Sequence, residues 1–357
     1  MSPSENRTAG GSATASSATV GALGEQAVLE AVIRALGDAA QPSHAVRVGP
    51  GDDCAVLRHR GDTVITSDTM IEGTDFRLDW HTPFELGWKL AATNLSDVAA
   101  MGAKATSLTV ALACPDSTEV RVLKGIAAGL AAACADFAPE VRVSGGDLSA
   151  APVMMCAVTA VGELGERTAV LRSGAKPQDV VAYAGDLGLS GAGLRLLFEQ
   201  PDSAEALKRS HPELLRAHLT PRPPLDADSR AATAMMDVSD GLVLDATRLA
   251  RASRVRINLR RSQLEALNSV DNAARVSLDE QLYGGEDHGL LATFPPGTDL
   301  AGTGFAIIGE VRNLSDGVSD GDGTSDDNSR VTLDGRPLPA RGWDPFAEAA
   351  AESLAKK

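Results

Sequence analysis

Apolar residues in "EQAVLEAVIRAL" fall at Val28, Leu29, Val32, Ile33 and Leu36, and Gly37 follows. That spacing predicts a helix over 25–36 with one buried stripe. The period then changes. "CAVLRHRGDTVITSD" reads as two short strands around an Arg-Gly-Asp turn, the second ending at Thr66-Ser67-Asp68. Residues 84–101, "FELGWKLAATNLSDVAAM", predict a long helix closed by Gly102. A strand "SLTVALAC", a helix over 117–134 and strands "EVRVSGGD" and "PVMMCAVTAVGE" follow. A Gly- and charge-rich break from Leu164 to Thr168 separates an expected N-terminal domain, 23–165, from a C-terminal one, 166–350. The second opens with strand "DVVAYAG" and with turn and helix "GLSGAGLRLLFEQ", then passes through the polar, Pro-rich segment 201–228. "AMMDVSDGLVLDATRLARAS" reads as strand, turn and helix, and "GGEDHGLLATFP" and "FAIIGEV" as further strands. Such alternation is that of an α/β or α+β fold.

Composition narrows the class. Of 357 residues, 43% are hydrophobic and 23% charged, which is globular material. Residues 1–22 are expected to be a disordered lead-in, and 315–330 a flexible acidic insertion without calcium-loop ligand spacing. The formal charge of -15 argues against a phosphate-backbone binder, which needs a basic face, so no nucleic-acid partner is expected. The longest apolar run, Val153 to Val161, is too short to cross a bilayer, so no membrane partner is expected either. Cys54, Cys114, Cys134 and Cys156 lack metal-ligand spacing and read as buried thiols of a cytoplasmic protein.

The chemistry lies in five stretches: "GDDCAV", "TSDT", "NLSDVAAMGA", "SGGDLS" and "DVSDGL". Each sets an Asp at a strand end, in a turn, or on the polar side of an apolar helix. Singly, most have a plain structural reading: Asp240 as a helix N-cap, and Asp52, Asp53, Asp68 and Asp147 as turn residues. Asp97 does not, because Asp is a poor helix former and this one sits among Ala, Leu and Val with Asn94 three residues before it. Together, so many converging carboxylates repel unless cations stand between them. Oxygen-only donors suit a hard ion, magnesium rather than zinc, and such clusters serve phosphate chemistry. No Walker loop or protein-kinase signature is present. "GDLGLSGAGL" reads as a tight turn before a helix.

The order and wording of "GDDCAVL", "TSDTMIEGTDF", "NLSDVAAMGAKA", "GGDLSAAP", "LRSGAKPQD", "MMDVSDGLVLD", "GGEDHGLL" and "GWDPF" resemble the thiamine-monophosphate kinases, in the superfamily of aminoimidazole ribonucleotide synthetase. The resemblance runs from about residue 24 to 346. It implies a two-domain α/β fold whose N-terminal domain pairs with its twin in a homodimer. It implies transfer of the ATP γ-phosphoryl group to thiamine phosphate, an acceptor already ionised, so no general base is expected. By position it implies magnesium ligands at Asp53, Thr66, Ser67, Asp68, Asp97, Asp147, Asp237 and Asp240. Gly146, Asp147, Arg172 and Ser239 would meet ATP, and Asp75, Glu286 and Trp343 the thiamine moiety. Arg172 suits phosphate through its bidentate fork, and Trp343 a thiazolium through its ring face. Two other readings stay open: phosphorylation of another small acceptor, and a nucleotide- or metal-binding protein without catalysis. The chain departs from the family pattern in three places. Asp75 stands where His is frequent, "VRVLKGIAA" lacks an aromatic and leaves the stem of Lys124 to repack the adenine pocket, and "GGEDHGLL" has His-Gly for Tyr-Glu.

Overall fold

The computed structural model describes residues 18–51, 53–267, 276–315 and 330–343. Asp52, most of the expected lead-in and nearly all of the acidic insertion lie outside these residues. The N-terminal unit runs α1 (Val20–Leu23), α2 (Glu25–Leu36), β1 (Val46–Val48), β2 (Val56–Leu57), β3 (Thr63–Ile71), α3 (Pro83–Ala100), β4 (Lys104–Cys114), α4 (Val120–Phe137), β5 (Arg142–Ala150) and β6 (Met155–Glu163). One expectation needs correcting here, because residues 20–22 belong to α1. Thr19 caps that turn, and the amides of Val20 and Gly21 donate to the carbonyls of Thr118 and Asp116.

The N-terminal sheet has strand order β3-β6-β4-β5, antiparallel except for the β4–β5 pair. Along β3, Val64, Thr66, Asp68 and Met70 face inward, while Thr63, Ile65, Ser67, Thr69 and Ile71 are exposed. This is the period-2 signature of a half-buried strand. Helices α3 and α4 cover the inner face with Leu86, Leu90, Leu95, Leu123, Ile126 and Leu130. α3 begins sharply because Thr82 and Glu85 form a reciprocal capping box with Pro83 at the first turn. Gly87 and Gly129 let α3 and α4 touch backbone to backbone, since a Cβ on either would lie within 2.0 Å of a carbonyl oxygen on the other.

The C-terminal unit contains β7 (Val180–Ala184), α5 (Leu189–Glu199), α6 (Ala204–Ser210), α7 (Pro212–Leu219), β8 (Ala234–Val238), α8 (Leu242–Ser253), β9 (Arg256–Leu259), α9 (Arg261–Leu267), α10 (Leu278–Tyr283), β10 (Gly289–Phe294), β11 (Ala306–Arg312), β12 (Val331–Leu333) and β13 (Arg336–Pro337). Its sheet, ordered β13-β12-β9-β11-β7-β10-β8, carries apolar clusters on both faces. Its central strands therefore read as unbroken apolar runs. Ala100, at the end of α3, joins one of those clusters. The two units are thus joined along α3.

Candidate active site

The polar residues of α3 at 89, 93 and 96 recur at helical spacing and form one stripe. Each meets a residue of the C-terminal unit. Lys89, wholly buried, sets Nζ 3.0 Å from Glu286 Oε1. Thr93 Oγ1 lies 3.2 Å from His288 Nε2, and Ser96 Oγ 3.4 Å from Asp237 Oδ2. One residue further, Asp97 accepts a 2.7 Å hydrogen bond from the Thr66 hydroxyl of β3. Thr66, Asp97, Asp237 and Asp68 are thereby gathered from both units.

These carboxylates feel one another. Burial first, then the charges of Asp237 and Asp68, push Asp97 up to about 7 against the hydrogen bond from Thr66 and the nearby His288. Asp68 is raised by burial, with Asp237 and Asp240 adding to the shift and His288 opposing it. A set of carboxylates raised in this way is a set short of positive charge.

Asp68 and Asp240 line a cavity of about 870 Å³, together with Asp75, Ser239, Glu286 and Trp343. Trp80, Phe198 and Tyr283 supply further aromatic wall. Trp343 reaches the site because its amide donates to the Asp240 carbonyl at 3.0 Å. At this end Glu286 is held from two sides, by Lys89 and by His218, whose Nδ1 is 3.3 Å from Oε2. Burial and the Lys89 charge keep the imidazoles of His81 and His218 well below the usual histidine range, so Lys89 is the cation of this group. Asp75 accepts from the Ile71 amide at 2.8 Å and is raised by burial.

Other expected residues are not brought here. Ser67 points to the opposite face of β3, where its hydroxyl donates to the Val158 carbonyl and lies 3.0 Å from Thr159 Oγ1. Asp53 is exposed in the bend before β2. Gly146 and Asp147 lie on β5, at the far edge of the sheet from β3. Asp68 aligns with Val158, Val158 with Val110, and Val110 with Gly146. Three strand spacings, about 14 Å, therefore separate the two edges. Arg172 is exposed, and its carbonyl accepts from the Ser253 hydroxyl. Lys124 is exposed on α4, away from the cavity wall.

Several plain readings change. Asp240 is not the N-cap of α8: Gly241 occupies that position, and Asp240 binds Arg248 at 2.6 Å. Asp147 sits within a strand rather than a turn. Asn94, fully buried, donates to the Leu90 carbonyl of its own helix. The Gly-rich loop before α5 is tied by Asp287, which accepts from the amides of Gly188 and Ser190 at 2.6 and 3.0 Å.

Residues 51–164 match the family model "AIR synthase related protein, N-terminal domain", and residues 176–317 the corresponding C-terminal domain. A protein of Mycobacterium tuberculosis named thiamine-monophosphate kinase is 36% identical over 343 residues, covering 93% of this chain and 94% of that one. The chain belongs to the thiamine-monophosphate kinase family. A Corynebacterium glutamicum protein of the same name is 35% identical, covering 82% of this chain and 87% of its own. Among solved structures, the thiamine-monophosphate kinase of Stenotrophomonas maltophilia matches with a TM-score of 0.71 at 28% identity, over 86% of this chain and 97% of that one. "AaThiL complexed with AMPPCP and TMP" matches with a TM-score of 0.66 at 29% identity, over 90% and 96%. The two-domain fold expected from the sequence is therefore this chain's fold.

Sequence reasoning missed Lys89, His81, His218 and His288. Lys89 carried a readable signal, being a lysine at helical spacing on the buried side of α3. The histidines carried little, since the side-chain partners of His218 and His288 lie 28 to 195 residues away in sequence and the bond of His81 to the Arg77 carbonyl is local to its turn.

Proposed function

We propose that this protein transfers the γ-phosphoryl group of ATP to thiamine phosphate, giving thiamine diphosphate. The observation that carries this reading is a single cavity lined both by carboxylates of the two units, Asp68 and Asp240, and by Glu286, Trp343 and other aromatic residues. Membership of the family and the kindred structure bearing an ATP analogue and TMP support it.

Magnesium fits the donor chemistry of the gathered carboxylates. The donors are carboxylate and hydroxyl oxygens, and the raised carboxyl groups lack a counter-charge. Among the described residues no three His, Cys, Asp or Glu side chains already stand close enough to share an ion. Mg²⁺ keeps several waters and binds through one or two carboxylates plus substrate phosphates, so it needs no closed protein cage. Asp68, Asp97, Asp237 and Asp240 would hold it, with Asp53 approaching from its loop. When bound, the ion neutralises phosphate charge and aligns an in-line displacement.

The chain's own residues do the rest. Thr66 orients Asp97 through its hydrogen bond. Glu286, paired with Lys89 at 3.0 Å, and the Trp343 face receive the cationic acceptor. Asp75 contributes a further acceptor at that wall, where the family often has His. The ionised acceptor phosphate needs no base, and His81 and His218 are engaged in binding geometry rather than proton transfer.

Ser239 and Arg172 are assigned to nucleotide phosphates. Gly146 and Asp147 enter the nucleotide and metal site from a second copy, because the exposed outer face of β3-β6-β4-β5 pairs two N-terminal units. Ile65, 71% exposed on that face, and Ile71 are its apolar contacts. A cytoplasmic location is the reading in keeping with its free cysteines, of which Cys54 is exposed rather than buried as expected, because it sits in the bend before β2. No described helix is long and apolar enough to cross a membrane.

The test is product analysis with MgATP and either thiamine phosphate or free thiamine. Thiamine diphosphate from the phosphate alone is expected. Absence of product from both, with nucleotide bound, overturns this reading.

A further inference from the structure

We infer that His288 is a nitrogen ligand of the carboxylate cradle, so that this chain holds a divalent-cation site of mixed oxygen and nitrogen character. The inference rests on the metal reading given under the proposed function and adds a donor to it.

His288 follows two residues after Glu286, in a turn where both take positive φ, +63° and +53°. The backbone is fixed there by bonds from the Glu286 amide to the Ser239 carbonyl and from the His288 amide to the Val238 carbonyl. The imidazole is consequently anchored beside β8, with its side chain only 3% exposed. Its Nε2 lies 3.2 Å from Thr93 Oγ1. With Nε2–H donating to that hydroxyl, the lone pair resides on Nδ1. Among the described residues Nδ1 has no hydrogen-bond partner, and it stands 3.8 Å from Asp237 Oδ2.

That distance is too long for a hydrogen bond, and a buried ring nitrogen left unpaired is costly. It does match two donors of one ion. Bonds of about 2.1 Å place neighbouring ligand atoms about 3–4 Å apart, depending on the angle between them. His288 also acts electrostatically on Asp68 and Asp97, so the ring belongs to the same group. Thr93 plays the part that outer partners of metal-bound histidines commonly play, fixing tautomer and ring plane.

The consequence is a shift in metal preference. Magnesium prefers oxygen and binds imidazole poorly, whereas later divalent ions accept it readily. With His288 in the cradle, Mn²⁺ gains over Mg²⁺. Substituting His288→Gln should weaken Mn²⁺ by about tenfold or more and Mg²⁺ less.

The experiment uses the full chain labelled with [15N]histidine, Mn²⁺ and AMPPCP, read by pulsed electron paramagnetic resonance. Labelling the protein alone separates histidine nitrogen from the adenine nitrogens. The expected result is a directly bound 15N coupling that vanishes in His288→Gln. Should that variant fail to fold, persistence of the coupling in each of the five variants His44→Gln, His59→Gln, His81→Gln, His211→Gln and His218→Gln assigns it to His288. Bound Mn²⁺ without histidine coupling overturns the inference, makes His288 an ion-pair partner of Asp237, and leaves the carboxylate cradle standing. A coupling retained in His288→Gln overturns it also. No Mn²⁺ binding at all overturns both this inference and the cradle.

Discussion

Lys89 Nζ and Glu286 Oε1 are 3.0 Å apart, and the lysine has no exposed surface. An ammonium in that position is tolerable only beside a carboxylate. Lys89→Met or Glu286→Gln alone should lose about 3 kcal/mol of stability, and the double variant should recover more than half of it. Urea unfolding of the three variants checks this. A double variant no better than the worse single one refutes the coupling. Folded Glu286→Gln should also show a raised KM for thiamine phosphate, with KM for ATP little changed.

Asp97 sets a pH dependence. Its folded pKa of about 7 lies above the ordinary carboxyl value, so protonation favours the folded state. The contribution is full below about pH 4 and is lost as pH rises toward 7. Metal-free protein should therefore melt at lower temperature at pH 8 than at pH 6. Asp97→Asn should flatten that slope and be more stable than the parent at pH 8, by about 1–3 kcal/mol. The same variant should lose phosphoryl transfer. A variant less stable than the parent at pH 8 contradicts the account.

Gly146 tests whether glycine is required for the fold apart from its proposed nucleotide role. A Cβ there would sit 2.0 Å from the Val110 carbonyl oxygen, whereas at Gly145 the nearest atom is 3.9 Å away. Gly146→Ala should destabilise by about 1–3 kcal/mol even without ligand, and Gly145→Ala by less. Equal melting temperatures would show that β5 yields without cost.

The separation of Asp68 and Gly146 on opposite sheet edges predicts dependence on a second copy. Ile65→Glu should yield monomers in sedimentation and abolish the kinase activity while leaving the monomer folded. A parent protein that is monomeric and active sinks this prediction.

The helix over 25–36 and the strand carrying Thr66 and Asp68 were legible because each shows one clean period. The carboxylate set was legible as a recurrence, since Asp at strand ends and inside an apolar helix violates local preference. Which of those residues meet was not. Ser67 and Asp68 are neighbours in sequence, yet strand alternation sends them to opposite faces. Asp240 looked like a cap, but Gly241, at φ +112°, begins α8 instead. The helices α6 and α7 lay hidden in the Pro-rich stretch 201–228, because Pro212 at a first turn starts a helix as readily as proline ends one.

The stripe along α3 has a geometric consequence. Lys89 marks Glu286 and Ser96 marks Asp237, and the rise between those two helix positions is about 10 Å. On the proposed reading, the helix would act as a ruler between Glu286 and Asp237. Acceptors would then be graded by length as well as by charge, one whose phosphate lies too near its ring being unable to touch both marks at once.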